Sequence, residues 1–158
     1  MNADLTIPYD AEAVLEANLC ARVDPEQIAC DEKLSSVAGP TPSLEPTFAS
    51  IQRDIFESTD SAGRTACTNC HTSTGRNPSG GMNLNHDVAY EQLVNAAVRG
   101  KPGATRVIPG DPDNSYLVQK LEGAASIAGR RMPNNGPPYL TDGQILIVRR
   151  WIAIGAPR

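Results

Sequence analysis

The sequence contains few aromatic residues and no long apolar run. Phenylalanine, tryptophan and tyrosine together make up 4% of the 158 residues, so the side chains alone offer a modest core for this length. Charges, glycines and prolines interrupt every apolar stretch before the roughly 20 residues that a transmembrane helix requires, and we predict no transmembrane segment. Internal repeats and an alternating, strand-like pattern are also absent from the sequence. We therefore expect an all-α chain with one main core, in which a large apolar cofactor can supply missing volume.

Positive charge is scarce as well. The net charge is −4, and because nucleic-acid binding requires a basic face, we expect no nucleic-acid partner. The acidity is concentrated in residues 1–45, with nine acids and two bases, whereas residues 46–158 hold nine acids and twelve bases. Residues 1–10 show neither the basic start nor the apolar run of a secretory signal.

The chain divides near residue 45. Three prolines and one glycine between residues 37 and 47 break helices and favour an extended connector. We predict an acidic helical extension with a Pro-rich connector over residues 1–45 and a second unit over residues 46–158. Two short helices are expected in the extension. In the second unit the predicted helices run from Thr47 to about Ser58, from Asp87 to Arg99, from Asn114 to Glu122, and from Thr141 to about Gly155.

One five-residue motif indicates specific chemistry. Residues 67–71 read Cys-Thr-Asn-Cys-His, the C-x-x-C-H pattern of covalent c-type haem attachment. Cys67 and Cys70 lie one helical turn apart, so each thiol can add to one vinyl group of the porphyrin. His71 is then held beneath the iron as its proximal ligand. Because a sequence of this composition matches the pattern by chance only about once in a thousand, we predict one covalent haem c.

Three other uses of this cysteine pair remain open: a Cys67–Cys70 disulfide, a zinc site, and a thioredoxin-like redox pair. A redox pair is expected after a strand in a βαβ unit, and the pattern predicts none. Zinc would need a fourth ligand from Cys20, Cys30 or His86, and no second C-x-x-C or H-x-x-H motif supplies it. The haem interpretation is therefore favoured.

An electron carrier usually fills the sixth position of its iron with a protein side chain. We predict Met132, because this thioether lies in an irregular loop before the last helix and Pro133 fixes its local backbone. His86 is an alternative ligand, or a cap of the helix predicted from Asp87 to Arg99. Met82 is a third candidate, but it lies only eleven residues after His71, so we expect it to pack against the porphyrin edge on the proximal side. An open or water-ligated iron is the remaining alternative.

From Thr47 to Pro157 the chain resembles the class I, single-haem cytochrome c family. The resemblance rests on the order of its parts: a helix with Phe48 and Phe56, the attachment motif, a middle helix, Met132 followed by Pro133, and a last helix with Trp151. It implies a cytochrome c-like helical fold around one haem, whose first and last helices cross beside the haem. In that case Phe48, Ile51 and Ile55 should pack against Ile145, Val148 and Ile152. The leading 45 residues have no counterpart in the family.

Further groups at the haem follow from their chemistry. The side chains of Arg106, Arg130 and Arg131 can hold the haem propionates by charge-assisted hydrogen bonds. The ring donors of Tyr139 and Trp151 can do the same. The alternatives are a solvated surface for the arginines and plain core packing for Trp151.

Cys20 and Cys30 lie outside the attachment motif. Cytochromes of this type mature in an oxidising compartment, so we expect the protein to be periplasmic or otherwise exported. A disulfide between the two cysteines would then tie the two leading helices together and stabilise them by about 2–3 kcal/mol. The alternative is two separate, small core residues.

The expected function is electron transfer, with the iron cycling between its ferrous and ferric states. The protein would act as a soluble carrier for redox protein partners, or as a haem subunit of a respiratory or photosynthetic membrane complex. A thioether ligand favours the reduced state and raises the potential. A peroxidase or gas sensor, the competing class, needs an open distal site and a polar catalytic residue. A structural disulfide or zinc protein, the second competitor, would carry no haem.

Overall fold

A computed structural model describes residues 39–158, and its regular elements are short helices joined by long loops. We number the α-helices α1 (Phe48–Ile51), which continues as a π-helical turn over Gln52–Phe56, α2 (Ala89–Leu93), α3 (Tyr116–Glu122) and α4 (Asp142–Ala153). Single 3-10 turns lie at Cys67–Asn69 and Ser79–Gly81. Residues 39–158 contain isolated β-bridges but no strand. The two helices predicted in the extension, and Cys20 and Cys30 with the disulfide predicted between them, lie outside these described residues.

Helix α1 begins where the sequence predicts. The side chain of Thr47 accepts a hydrogen bond from the backbone N–H of Ser50 at 3.2 Å, which satisfies one of the free donors of the first turn. The helix then widens, because the N–H of Glu57 donates to the carbonyl of Gln52, five residues earlier, at 3.0 Å. This widened turn ends directly before the loop that leads to the attachment motif.

Helix α2 is much shorter than predicted. It ends at Leu93, so the prediction of a helix as far as Arg99 was wrong. Val94 is already extended, and the N–H of Asn95 donates to the carbonyl of Val107 at 2.9 Å instead of continuing the helix. Pairing with a segment that lies a dozen residues downstream replaces the helical hydrogen bonds.

Helix α3 begins at Tyr116, two residues after the predicted start. The hydroxyl of the preceding residue, Ser115, is engaged outside the helix: it accepts from the N–H of Ile108 at 2.8 Å and donates to the carbonyl of Asp111 at 2.7 Å. The helix stops at Gly123, which adopts the left-handed conformation with φ +75°. Ser115 therefore ties the start of α3 to the turn before it.

Helix α4 has the predicted capping box. The Thr141 side chain accepts from the N–H of Gln144 at 3.2 Å, and the Gln144 side chain accepts from the N–H of Thr141 at 2.9 Å. The helix buries Trp151 completely and leaves Ile154, just beyond its end, exposed. No helix among residues 39–158 is both long and apolar enough to cross a membrane.

Aromatic rings join α1, α2 and α4 in the core. The ring of Phe48 lies 5.6 Å from that of Trp151 and 5.1 Å from that of Tyr90, centroid to centroid. The aliphatic residues expected at the crossing of the first and last helices all belong to the same buried cluster: Ile51, Ile55, Ile145, Val148 and Ile152.

The end of the predicted connector also packs onto this core. Leu44 is fully buried, and the Gln144 side chain donates to the Thr41 hydroxyl at 3.0 Å. A Cβ added to Gly39 would lie 2.9 Å from a side-chain carbon of Thr141. Gly39 and Thr41 therefore lie beside the start of α4, and Leu44 packs in the core.

Candidate cofactor site

A largely apolar cavity of about 300 Å³ lies beside the attachment motif, at the lower end of the volumes typical of small-molecule sites. Its apolar walls come from the π-helical turn, from α2 and α3, and from the loops around residues 82 and 140. These wall residues include Phe56, Leu84, Leu93, Leu117, Leu121 and Leu140. The structure thus provides an apolar compartment that is bounded by residues far apart in the chain.

The attachment motif forms one rim of this cavity. A 3-10 turn over Cys67–Asn69 closes with hydrogen bonds from the N–H groups of Cys70, at 3.2 Å, and His71, at 2.9 Å, to the carbonyl of Cys67. Both cysteine side chains and the imidazole consequently line the cavity. The two thiols are free and differ in burial, since Cys67 is partly buried and Cys70 is exposed.

The imidazole of His71 has a defined orientation. Its Nδ1 lies 2.9 Å from the carbonyl oxygen of Ser79, which makes Nδ1–H the donor and leaves the lone pair of Nε2 available to a metal. Burial lowers the pKa of His71 below its ordinary value, although contacts with the backbone of Ser79 and Met82 act in the opposite direction. The neutral ring that results is the form that ligates metals.

The partial burial of Cys67 affects the acidity of its thiol. Burial raises the pKa of Cys67 above its ordinary value, and the positive charge of Arg64 opposes this rise only in part. Since a raised pKa favours the thiol over the reactive thiolate, Cys67 is protonated at neutral pH. The two residues of the pair are therefore in chemically different surroundings.

Both candidate methionines line the cavity, and His86 does not. Met82 and Met132 are partly buried against the core. The backbone N–H of Met132 donates to the carbonyl of Lys120 at 2.9 Å, which ties the loop of residues 129–138, called the methionine loop below, to α3. The His86 side chain is 75% exposed and lies 3.8 Å from a carboxylate oxygen of Glu57. Its position favours a solvated histidine over an iron ligand.

Four predicted propionate contacts lie outside the cavity lining: Arg130, which is exposed, and Arg131, Tyr139 and Trp151. The indole N–H of Trp151 donates to the carbonyl of Pro157 at 2.8 Å. The guanidinium of Arg131 stacks over the ring of Tyr139 at 4.4 Å, and its Nε donates to the carbonyl of Leu121 at 2.6 Å. The structure therefore does not bring Arg131, Tyr139 and Trp151 to the cavity lining.

Two other cationic side chains do reach the cavity. Arg106 lines it and donates to the carbonyls of Gln92, at 2.6 Å, and Gly81, at 3.1 Å. Lys120, which the sequence reasoning missed, also lines it. A signal for it existed, since Lys120 follows Tyr116 by one helical turn and the two therefore share a face of α3. Burial lowers the pKa of both cationic groups.

Comparisons of the chain with protein-family models, with curated proteins and with solved structures found no match. In the described range, residues 39–158, no group of three or more His, Cys, Asp or Glu side chains is arranged to hold a metal ion. Function is therefore inferred from the motif and from the cavity on whose rim the motif lies.

Proposed function

We propose that the protein is an electron carrier with a cytochrome c-like helical fold around one covalent haem. In this proposal Cys67 and Cys70 hold the porphyrin, and His71 and Met132 are the axial ligands of the iron. One observation carries it: the C-x-x-C-H turn lies on the rim of an apolar cavity with the His71 imidazole held at Nδ1 by a backbone carbonyl.

The residues around the cavity fit such a group. The two thiols are free, the imidazole is neutral, and two thioethers line the same compartment. The apolar walls suit a porphyrin. The positive charges of Arg106 and Lys120, which also donate to backbone carbonyls, suit its carboxylates. When bound, the haem supplies an iron that takes up and releases one electron.

The roles of the chain follow from these positions. The thiols fix the group without a deep pocket, the Ser79 carbonyl orients the imidazole, and the walls exclude water, so little has to move when the charge changes. With His71 and Met132 both bound to the iron, no position would be left for a substrate, which favours a carrier over an enzyme. The partners we propose are redox proteins or a membrane electron-transfer complex, in the periplasm or another exported location.

The first experiment tests covalent attachment. The chain is exported in a cell that matures c-type cytochromes, purified, denatured and extracted with acidified organic solvent. We expect the pigment to stay with the polypeptide and the mass to rise by one haem. Replacement of both Cys67 and Cys70 by Ala should abolish covalent haem, whereas His86→Ala, outside the cavity, should retain it. A colourless wild-type protein, or one that releases its haem, would overturn the proposal.

The second experiment tests the distal ligand. We expect a six-coordinate, low-spin spectrum that carbon monoxide leaves unchanged in the reduced protein. Met132→Ala should lose the low-spin state and bind carbon monoxide, and Met82→Ala is the matched control that should keep the wild-type spectrum. An unchanged spectrum in Met132→Ala would refute the assignment of Met132. Ready binding of carbon monoxide by the wild type would instead indicate a sensor or peroxidase.

A further inference from the structure

Three residues before the attachment motif lies a buried arginine that the proposed function does not use. Arg64 is 1% exposed, and its Nε is 3.0 Å from a carboxylate oxygen of Asp60, whose side chain is equally buried. Burial of an ion pair costs desolvation free energy that its own attraction often fails to recover. Stabilisation by the ion pair therefore does not by itself account for an arginine at this buried position.

Arg64 connects the end of the π-helical turn that follows α1 with the segment just before the attachment motif. One guanidinium nitrogen donates to the carbonyls of Ile55, at 3.2 Å, and Thr65, at 3.0 Å, and the other to that of Ser58, at 3.3 Å. These carbonyls lie at the end of the π-helical turn and in the loop that follows it, where no backbone N–H of the helix is available as a donor. The planar fork of donors can hold several of these acceptors at once.

The same guanidinium contacts the first cysteine of the motif. Its nitrogen lies 4.0 Å from the sulfur of Cys67, and that sulfur is 3.5 Å from the carbonyl of Ile55, which Arg64 also contacts. Cys67 is thus held between Arg64 and the helix end. No hydrogen bond to the sulfur of Cys70 is present in the part of the chain that the structure describes, and Cys70 is exposed.

From this asymmetry, and resting on the proposed function, we infer that Arg64 is a positioning residue that holds the Cys67 thiol at the cavity rim for addition to a porphyrin vinyl group. In that addition the S–H bond and the vinyl π bond break, a C–S bond forms, and the thiol hydrogen ends on the other vinyl carbon. The step is balanced without an oxidant, a reductant or a leaving group. Cys70 reaches its own vinyl group without this support.

The test compares the two thiols in the matured full-length protein. Haem-bearing wild type and Arg64→Gln are denatured, treated with a thiol-alkylating reagent, and mapped by mass spectrometry. We expect both thioethers in the wild type. In Arg64→Gln we expect a singly attached fraction in which free Cys67 exceeds free Cys70 by on the order of tenfold, a factor that one hydrogen bond to a charged group can account for. Arg64→Lys, which keeps the charge but loses the fork, should show a smaller bias.

Two control variants separate positioning from general loss of stability. Arg150→Gln removes a buried arginine from α4, and Arg53→Gln removes an exposed one from the π-helical turn. Both should leave the two cysteines equally attached, because a fold that is weakened overall gives no reason to favour one thiol.

Each outcome decides the inference. Equal attachment of both cysteines in Arg64→Gln overturns it, as does the same bias in Arg150→Gln. If Arg64→Gln yields no haem-bearing protein, the double variant Arg64→Gln/Asp60→Asn, which leaves no unpaired buried charge, is mapped instead. Bias toward free Cys67 there supports the inference, and equal attachment or a complete absence of attached protein overturns it. Absence of covalent haem in the wild type is a different result, which refutes the proposed function itself.

Discussion

Asp60→Asn should destabilise the protein more than any exposed charge change of the same kind. The carboxylate is nearly inaccessible and makes three contacts: Oδ2 pairs with Arg64 Nε at 3.0 Å, and Oδ1 accepts from the N–H groups of Ala62 and Arg64, each at 3.1 Å. An asparagine oxygen can keep the two backbone hydrogen bonds. Its NH₂ group would face another donor, so the Arg64 charge stays buried without its counter-ion.

The magnitude follows from this burial. Removal of one partner from a buried ion pair costs about 3–5 kcal/mol, and we expect the lower end, about 3 kcal/mol, because Arg64 keeps the carbonyl groups of Ile55, Ser58 and Thr65 as acceptors. A loss of this size is a large part of the roughly 5–15 kcal/mol that stabilises a domain. Asp60→Asn should therefore lower the denaturation midpoint clearly.

Guanidinium chloride unfolding of the matured protein, followed by circular dichroism, measures the effect. The midpoint should fall with an unchanged slope, which indicates lost stability and not an altered unfolded state. Arg53→Gln breaks an exposed pair with Asp54 and is the matched control, expected to keep the wild-type midpoint. A loss below about 1 kcal/mol in Asp60→Asn, the range of exposed pairs, would refute the reasoning that burial makes this ion pair indispensable.

Two further variants test the elements around the cavity. Thr141→Ala removes the hydroxyl that accepts from the N–H of Gln144, and should lower the free energy of unfolding by about 1 kcal/mol; Thr141→Ser should retain it, and equal losses in both would contradict the capping explanation. Gly123→Ala introduces a Cβ at φ +75° and 2.9 Å from Arg131 Cδ. The free energy of unfolding should fall by more than the about 1–2 kcal/mol that left-handed strain alone costs. The variant should also perturb the ferric spectrum through the methionine loop. Gly129→Ala has the same φ but open space around its Cβ, so equal stability losses and equal spectra in the two glycine variants would rule out the Arg131 contact as a cause.

The start of a helix could be predicted where the capping hydrogen bonds are local. Thr47 and Thr141 each cap a helix by accepting from the N–H three residues later, and both predictions are confirmed. The end of α2 could not be predicted in this way. Helical propensity continues past Leu93, but the N–H of Asn95 finds the carbonyl of Val107, and the availability of that acceptor depends on how the later chain folds back.

The residues of the candidate site also fall into those that the sequence could identify and those that it could not. The motif, Met82 and Met132 were identified from residue type and order, and all line one cavity. Arg131, Tyr139 and Trp151 were chosen for their chemistry alone, and none of the three lines the cavity. Side chains with equally suitable donors point in different directions, because the folded backbone sets their orientation. The local sequence pattern does not predict that orientation.

The sequence by itself determined the chemistry that this chain offers: two thiols and an imidazole in one turn, and thioethers further on. It also determined where helices start, because the capping hydrogen bonds join residues only three positions apart. Only the tertiary structure decided which cations reach the cavity, Arg106 and Lys120, and which cysteine is partly buried beside Arg64. The physical reason is range. Capping and turn geometry are set by neighbours in the chain, whereas burial, and the partners of a buried charge, are set by segments that meet only after folding.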